Sequence, residues 1–204
     1  MKIKKFRIRP RLSTVARILK SIMSVKQLPA ELEGTLPVEI EAFLPRMMPT
    51  AFYQTWSRDE VPSSLQDILK EIGAKKIVAL SVLVATIGDE PEDVLSQMLM
   101  NGESQRAQIA TAVCEESADL CLSFLLRLLT EEAEDDDCEV SDPILVESGA
   151  LLAESLALVE ADQEGVSIDT AFHLSPRFTR VALVVWFPAA RKKRTQPAPK
   201  KRSA

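Results

Sequence analysis

Hydrophobic and polar positions along the chain fall into two periods. Residues 2 to 9 set Ile3, Phe6 and Ile8 among lysines and arginines ahead of Pro10, the pattern of a short edge strand. Ser13 or Thr14 then suits the cap of a helix in which Val15, Ile18, Leu19, Ile22 and Met23 follow the i, i+3, i+4, i+7, i+8 stripe of a buried face. Pro37 can open a second helix carrying Val38, Ile40, Ala42, Phe43 and Leu44, with Pro45 and Pro49 closing it. Thr50 to Trp56 alternates as a strand. Ser63 to Ile72 reads as a third helix stopped by Gly73.

The run Ile77 to Ala85 is apolar at both parities and rich in β-branched residues, which predicts a central strand covered on both faces. Thr86-Ile87-Gly88 ends it, and Asp89, Glu90, Glu92 and Asp93 follow in the first turn of the next helix, where the helix dipole favours acids. Ser104 to Glu132 has one long helical stripe through Ile109, Val113, Leu122, Leu125 and Leu129, with alanines that permit close approach to a sheet. Glu131 to Glu139 reads as a solvated acidic loop and Pro143 to Val159 as another helix. Two strands, Val166 to Phe172 and Phe178 to Phe187, flank the turn His173-Leu174-Ser175-Pro176-Arg177. The element order mixes one central strand with a terminal antiparallel pair, and the fold class it predicts is α+β: a mostly antiparallel twisted sheet with flanking helices. Residues 1 to 190 are expected to form a single domain. Residues 191 to 204 have no apolar periodicity and are expected to be a disordered basic tail.

Charge sharpens this picture. Residues 1 to 30 and 191 to 204 carry sixteen of the 25 cations and none of the 30 acids, so the body between them holds nine cations against 30 acids, a balance of −21. Such a body opposes nucleic acid along its length and favours a protein partner. The three cysteines, Cys114, Cys121 and Cys138, fit neither a disulfide framework nor a metal knuckle, and point to core thiols in a reducing compartment. No signal-peptide pattern follows the basic start, and the longest apolar runs are about half of a bilayer-spanning helix, so a cytoplasmic location is expected.

Candidate chemistry is sparse. His173 is the one histidine, which rules out sites built on several imidazoles; it either turns toward a ligand or is an ordinary surface histidine. No P-loop, Gly-x-Gly-x-x-Gly or His-Glu-x-x-His occurs. Asp135, Asp136 and Asp137 read as solvated charge. The end of the central strand, at Thr86 and Gly88, is the stronger position, because strand ends entering helix N-termini expose backbone N–H groups to ligands. Either Gly88 serves the turn alone or the site takes a neutral or cationic group, since the four acids that follow repel an anion.

Val84-Ala85-Thr86-Ile87-Gly88 with its acidic helix, the later Ile109-Ala110-Thr111-Ala112-Val113, Pro49-Thr50-Ala51-Phe52-Tyr53 upstream, and Ile168 to Pro176 with its returning strand occur in the order found in one family. By that order the chain resembles, over residues 37 to 187, the activation domain of cobalamin-dependent methionine synthase. The resemblance implies a domain that binds S-adenosylmethionine and docks over a corrinoid carried by a separate protein, so that cobalamin is reached only through this partner, a corrinoid-binding protein or cobalamin-dependent methyltransferase. In that family cobalamin oxidised to the cob(II) state is reduced by an external donor and trapped by methyl transfer from S-adenosylmethionine. It further implies a ligand site between Thr86 and Gly88 on one side and His173, Ser175, Pro176 and Arg177 on the other.

The family's Arg and Pro-rich segment ending in Gly-Tyr is missing: Asp137-Cys138-Glu139-Val140-Ser141-Asp142-Pro143-Ile144 stands in its place. A ligand carboxylate then falls to Arg177 or Arg180. The alternative is a non-enzymatic adaptor that keeps the fold without the ligand.

Overall fold

The computed structural model describes residues 1–4, 6–72 and 76–189. The expected tail from 191 and the expected stop at Gly73 lie outside the described residues. In chain order the elements are β1 (Lys2–Lys4), α1 (Leu12–Ile22), α2 (Ala30–Phe43), β2 (Thr50–Ser57), α3 (Gln66–Ile72), β3 (Ala79–Thr86) and α4 (Glu90–Met100). They continue with α5 (Ser104–Asp135), β4 (Cys138–Val140), β5 (Ile144–Leu145), α6 (Ala150–Leu158), β6 (Ser167–Ile168), β7 (Leu174–Ser175) and β8 (Thr179–Pro188). The main sheet runs β1-β2-β3-β8-β4, with β5 also on β8, and every pairing is antiparallel. A separate ribbon joins β6 to β7. This is the α+β architecture that the pattern predicts.

The strand period explains why β3 and β8 read as unbroken apolar runs. Leu83 and Ala85 of β3, with Ala182, Val184 and Trp186 of β8, face a core under α1, α2, α4 and α5. Their neighbours Leu80, Val82, Val84, Val181, Leu183 and Val185 face a second core under α6. Both faces are covered, so both parities are mainly apolar. Each fully buried Val or Leu contributes about 1.5–3 kcal/mol against exposure.

Several boundaries differ from the pattern. The first strand covers only Lys2–Lys4 of the expected 2 to 9; beyond it Phe6 leaves the sheet and stacks on Phe124 of α5, with centroids 4.6 Å apart. Neither Ser13 nor Thr14 caps α1, whose N-cap position is Arg11. The second helix starts at Ala30 after Pro29, and Pro37 lies inside it. There the buried series Leu32, Leu36, Ile40 and Phe43 outweighs the hydrogen bond the proline ring removes.

The third helix begins as a 3-10 turn at Ser63–Leu65. The acidic stretch from Glu131 continues α5 to Asp135, because Leu129 and Ala133 still face the core, and Cys138–Val140 then joins the sheet. Of the helix expected from Pro143, only Ala150–Leu158 forms. Ile144 and Leu145 instead pair with Leu183 and Ala182, covering the open edge of β8. The strand expected over 166 to 172 stops after Ile168, where the Asp169 side chain takes over the local hydrogen bonds.

Candidate functional site

The register Thr86↔Thr179 sets the exit of β3 beside the entry of β8. Thr86 is buried, and its Oγ1 accepts the Gly88 N–H at 3.2 Å. Gly88 has φ +87°, a left-handed conformation that side-chain-bearing residues rarely adopt, so this turn needs glycine for its backbone; a Cβ there would make only ordinary contact with Met48, 3.4 Å away. Across from it, the Arg177 N–H donates to Glu92 in the first turn of α4 at 3.2 Å. Pro176 is buried behind a cis Ser175–Pro176 bond, and its carbonyl accepts from Thr179 Oγ1 at 2.7 Å. The two segments that the sequence singles out are therefore neighbours.

In front of this scaffold lies a groove of about 430 Å³ between α5, β5 and the start of β8, whose charged lining is Glu115, Asp119, Glu147, Arg177 and Arg180. Arg180 donates from Nε to Asp119 at 2.7 Å and pairs with Glu115 through its other arm. Burial works against the charge of this guanidinium; the hydrogen bonds to Asp119 and Glu115 outweigh it and hold Arg180 firmly protonated. Arg177 lies with its guanidinium carbon 5.3 Å from the centroid of the buried Phe178 ring. Among the described residues neither Arg177 nor Glu147 makes an ion pair.

Of the six residues expected to form the site, Arg177 alone lines the groove. Thr86, Gly88, Ser175 and Pro176 build the turns behind it. His173 stands outside, 79% exposed, with Nδ1 3.0 Å from Asp169 Oδ2. Asp169 also takes the N–H groups of His173 at 2.9 Å and Ala171 at 2.8 Å. The backbone bond from His173, then its ring, holds the Asp169 carboxyl below the usual carboxylate range. Glu115 and Asp119, four apart on one face of α5, were detectable as an acidic pair in the sequence. Glu147 was not, because its segment reads as helix.

The groove suits binding more than bond-making. Its one hydroxyl, Thr179, is spent on the Pro176 carbonyl, and no histidine or cysteine lines it. An open guanidinium can take a carboxylate in bidentate fashion, and an open carboxylate can take an ammonium or another cation.

No family model and no curated protein matches the sequence. Among solved structures, the crystal structure of the MetH reactivation domain bound to AdoHcy is similar, with a TM-score of 0.59 and 12% identity over 94% of this chain and 79% of that one. At this identity the likeness is one of fold: a curled antiparallel sheet with helices packed on it. Among the described residues no helix is long and apolar enough to cross a membrane.

Proposed function

We propose that this protein is a divergent counterpart of the methionine synthase activation domain, which binds S-adenosylmethionine in the groove at Arg177 and works on a corrinoid held by a partner. One observation carries the reading: a guanidinium, Arg177, and a carboxylate, Glu147, neither of which makes an ion pair among the described residues, line the same groove. S-adenosylmethionine carries a carboxylate, an ammonium and a sulfonium, and this donor set fits those charges. The likeness in fold to a domain bound to AdoHcy supports the same ligand class. When bound, S-adenosylmethionine supplies an electrophilic methyl group. The chain's own part is to hold the carboxylate at Arg177 and to keep Glu147 toward the cationic end. Arg180, locked between Glu115 and Asp119, shapes the floor.

A second reading rests on a specific observation. The stretch replacing the family's Arg and Gly-Tyr motif contributes β4 and β5, which pair with β8 and complete the sheet. A chain that uses this segment for structure can serve as an adaptor that keeps the fold without the ligand. Calorimetric titration of the full chain with S-adenosylmethionine separates the two. Saturable binding that weakens about ten- to a hundredfold in Arg177→Ala supports the first reading. Absence of binding at millimolar ligand selects the adaptor.

A further inference from the structure

Separate from the Arg177 groove, and independent of its reading, a second groove of about 280 Å³ lies where the segment after β1 crosses α5. Its floor is apolar, from Ile8, Leu120 and Phe124, and its charged lining is entirely cationic: Arg7, Arg9 and Arg127. We propose that this groove binds the phosphate group of a compact phosphate-bearing small molecule.

Burial alternates along the crossing segment. Phe6, Ile8 and Pro10 turn toward the protein while Arg7 and Arg9 stay exposed. Two residues apart on extended chain, Arg7 and Arg9 have Cα atoms no more than about 7 Å apart, which lets both side chains reach one anion. Arg127 approaches from α5, its guanidinium carbon 5.4 Å from the Phe124 centroid. That ring also stacks on Phe6, so the helix, the crossing segment and the cation are fixed against one aromatic platform.

These arginines are also weakly held by their own protein. Arg9 reaches Glu41 at 3.6 Å with both side chains mostly exposed, Arg127 reaches Glu131 at 3.8 Å, and Arg7 has no ion pair among the described residues. Exposed pairs of this length contribute little and yield readily to a better anion. Arg11, by contrast, is engaged with the buried Glu116 and is not available.

Charge on the remainder of the molecule decides the size of the ligand. Between the basic ends the body carries a balance of −21, which repels a long polyanion once it extends beyond the groove. A single phosphate or diphosphate meets only the three cations. Guanidinium groups suit it better than lysines because each presents a planar fork to two oxygens.

The test is titration of the full chain with inorganic phosphate and with pyrophosphate, followed by calorimetry and by backbone amide NMR shifts. Saturable binding is expected, tighter for pyrophosphate, with shifts confined to residues 7–9 and 120–127. Arg7→Ala and Arg127→Ala are each expected to weaken pyrophosphate about tenfold, and Arg127→Lys severalfold through loss of the fork. Arg17→Ala, an exposed cation on α1 away from the groove, should leave it unchanged. No saturation by pyrophosphate at about 10 mM, or equal binding in Arg7→Ala and Arg127→Lys, overturns the proposal. A single-stranded oligonucleotide that binds more tightly than pyrophosphate, with a steep salt dependence, also overturns it and assigns the groove to nucleic acid.

Discussion

Arg11 Nε donates to Glu116 Oε1 at 2.9 Å, and Glu116 keeps only 1% of its surface in contact with solvent. A carboxylate so deep in α5 needs a partner, because an unpaired buried charge is costly. The arginine sits outside, 68% exposed, on the segment that crosses the helix. Arg11→Ala is therefore expected to destabilise the fold by about 1–3 kcal/mol, since it strands the carboxylate. Glu116→Gln, which keeps an acceptor and removes the charge, is expected to cost less. Urea midpoints at unchanged m-value give both numbers, and the reverse ordering removes the argument.

A buried polar chain gives the second expectation. Trp186 Nε1 donates to Ser81 Oγ at 2.8 Å, and Ser81 Oγ lies 2.7 Å from Thr55 Oγ1. Ser81 interrupts an otherwise apolar strand because the indole N–H of β8 needs an acceptor within the core. Ser81→Ala leaves that donor unsatisfied and is expected to cost about 1–3 kcal/mol, more than Thr55→Ala, whose hydroxyl is only partly buried. Equal costs would assign the effect to packing.

The sheet was legible where period decided it. Ile77 to Ala85 reads as a doubly covered strand because neither parity offers a polar face, and Phe178 to Phe187 reads as a strand whose cover on both faces only the packing shows. Where tertiary pairing overrides local preference, the sequence misleads. Ile144 and Leu145 have helix-compatible neighbours, and only the open edge of β8 makes them a strand. Pro37 looks like a helix start until the stripe from Leu32 to Phe43 is seen packed. The candidate site divides in the same way. Arg177 was readable as a cation at a turn, whereas Glu147 enters the groove only through β5, which no local pattern marks.

The cysteines give the third expectation. Cys114 and Cys121 are fully buried on α5 and Cys138 nearly so. Burial pushes all three thiols up: that of Cys121 to about 12, and that of Cys114 further, aided by the charge of Glu115. With little thiolate and no access, the folded protein should react negligibly with a disulfide reagent at pH 8, and all three thiols should react once guanidinium unfolds it. Rapid labelling of one thiol in the native protein, by stopped-flow absorbance, would show that the helix or strand carrying it opens locally.

Tyr53 gives the last expectation, through pH. Its side chain is buried, and its hydroxyl donates to the Glu132 carboxylate. Burial first, and then that hydrogen bond, raise the phenol well above its ordinary value. In the unfolded chain tyrosine titrates near about 10, while the folded protein retains the proton, so above that pH the native state binds more protons than the unfolded state. Stability from this group is therefore fully present below about pH 10 and is lost as pH rises, with a limiting slope of about 1.4 kcal/mol per pH unit. Tyr53→Phe removes both the hydrogen bond and the titration. At pH 8 the variant should be less stable by about 1–2 kcal/mol, and between pH 9.5 and 11 the gap should close by about 1 kcal/mol as the wild type alone weakens. Lysines and arginines titrate alike in both proteins and cancel in the difference. Urea unfolding of the pair across this range measures it, and a gap that stays constant to pH 11 would mean that Tyr53 does not hold its proton in the folded state.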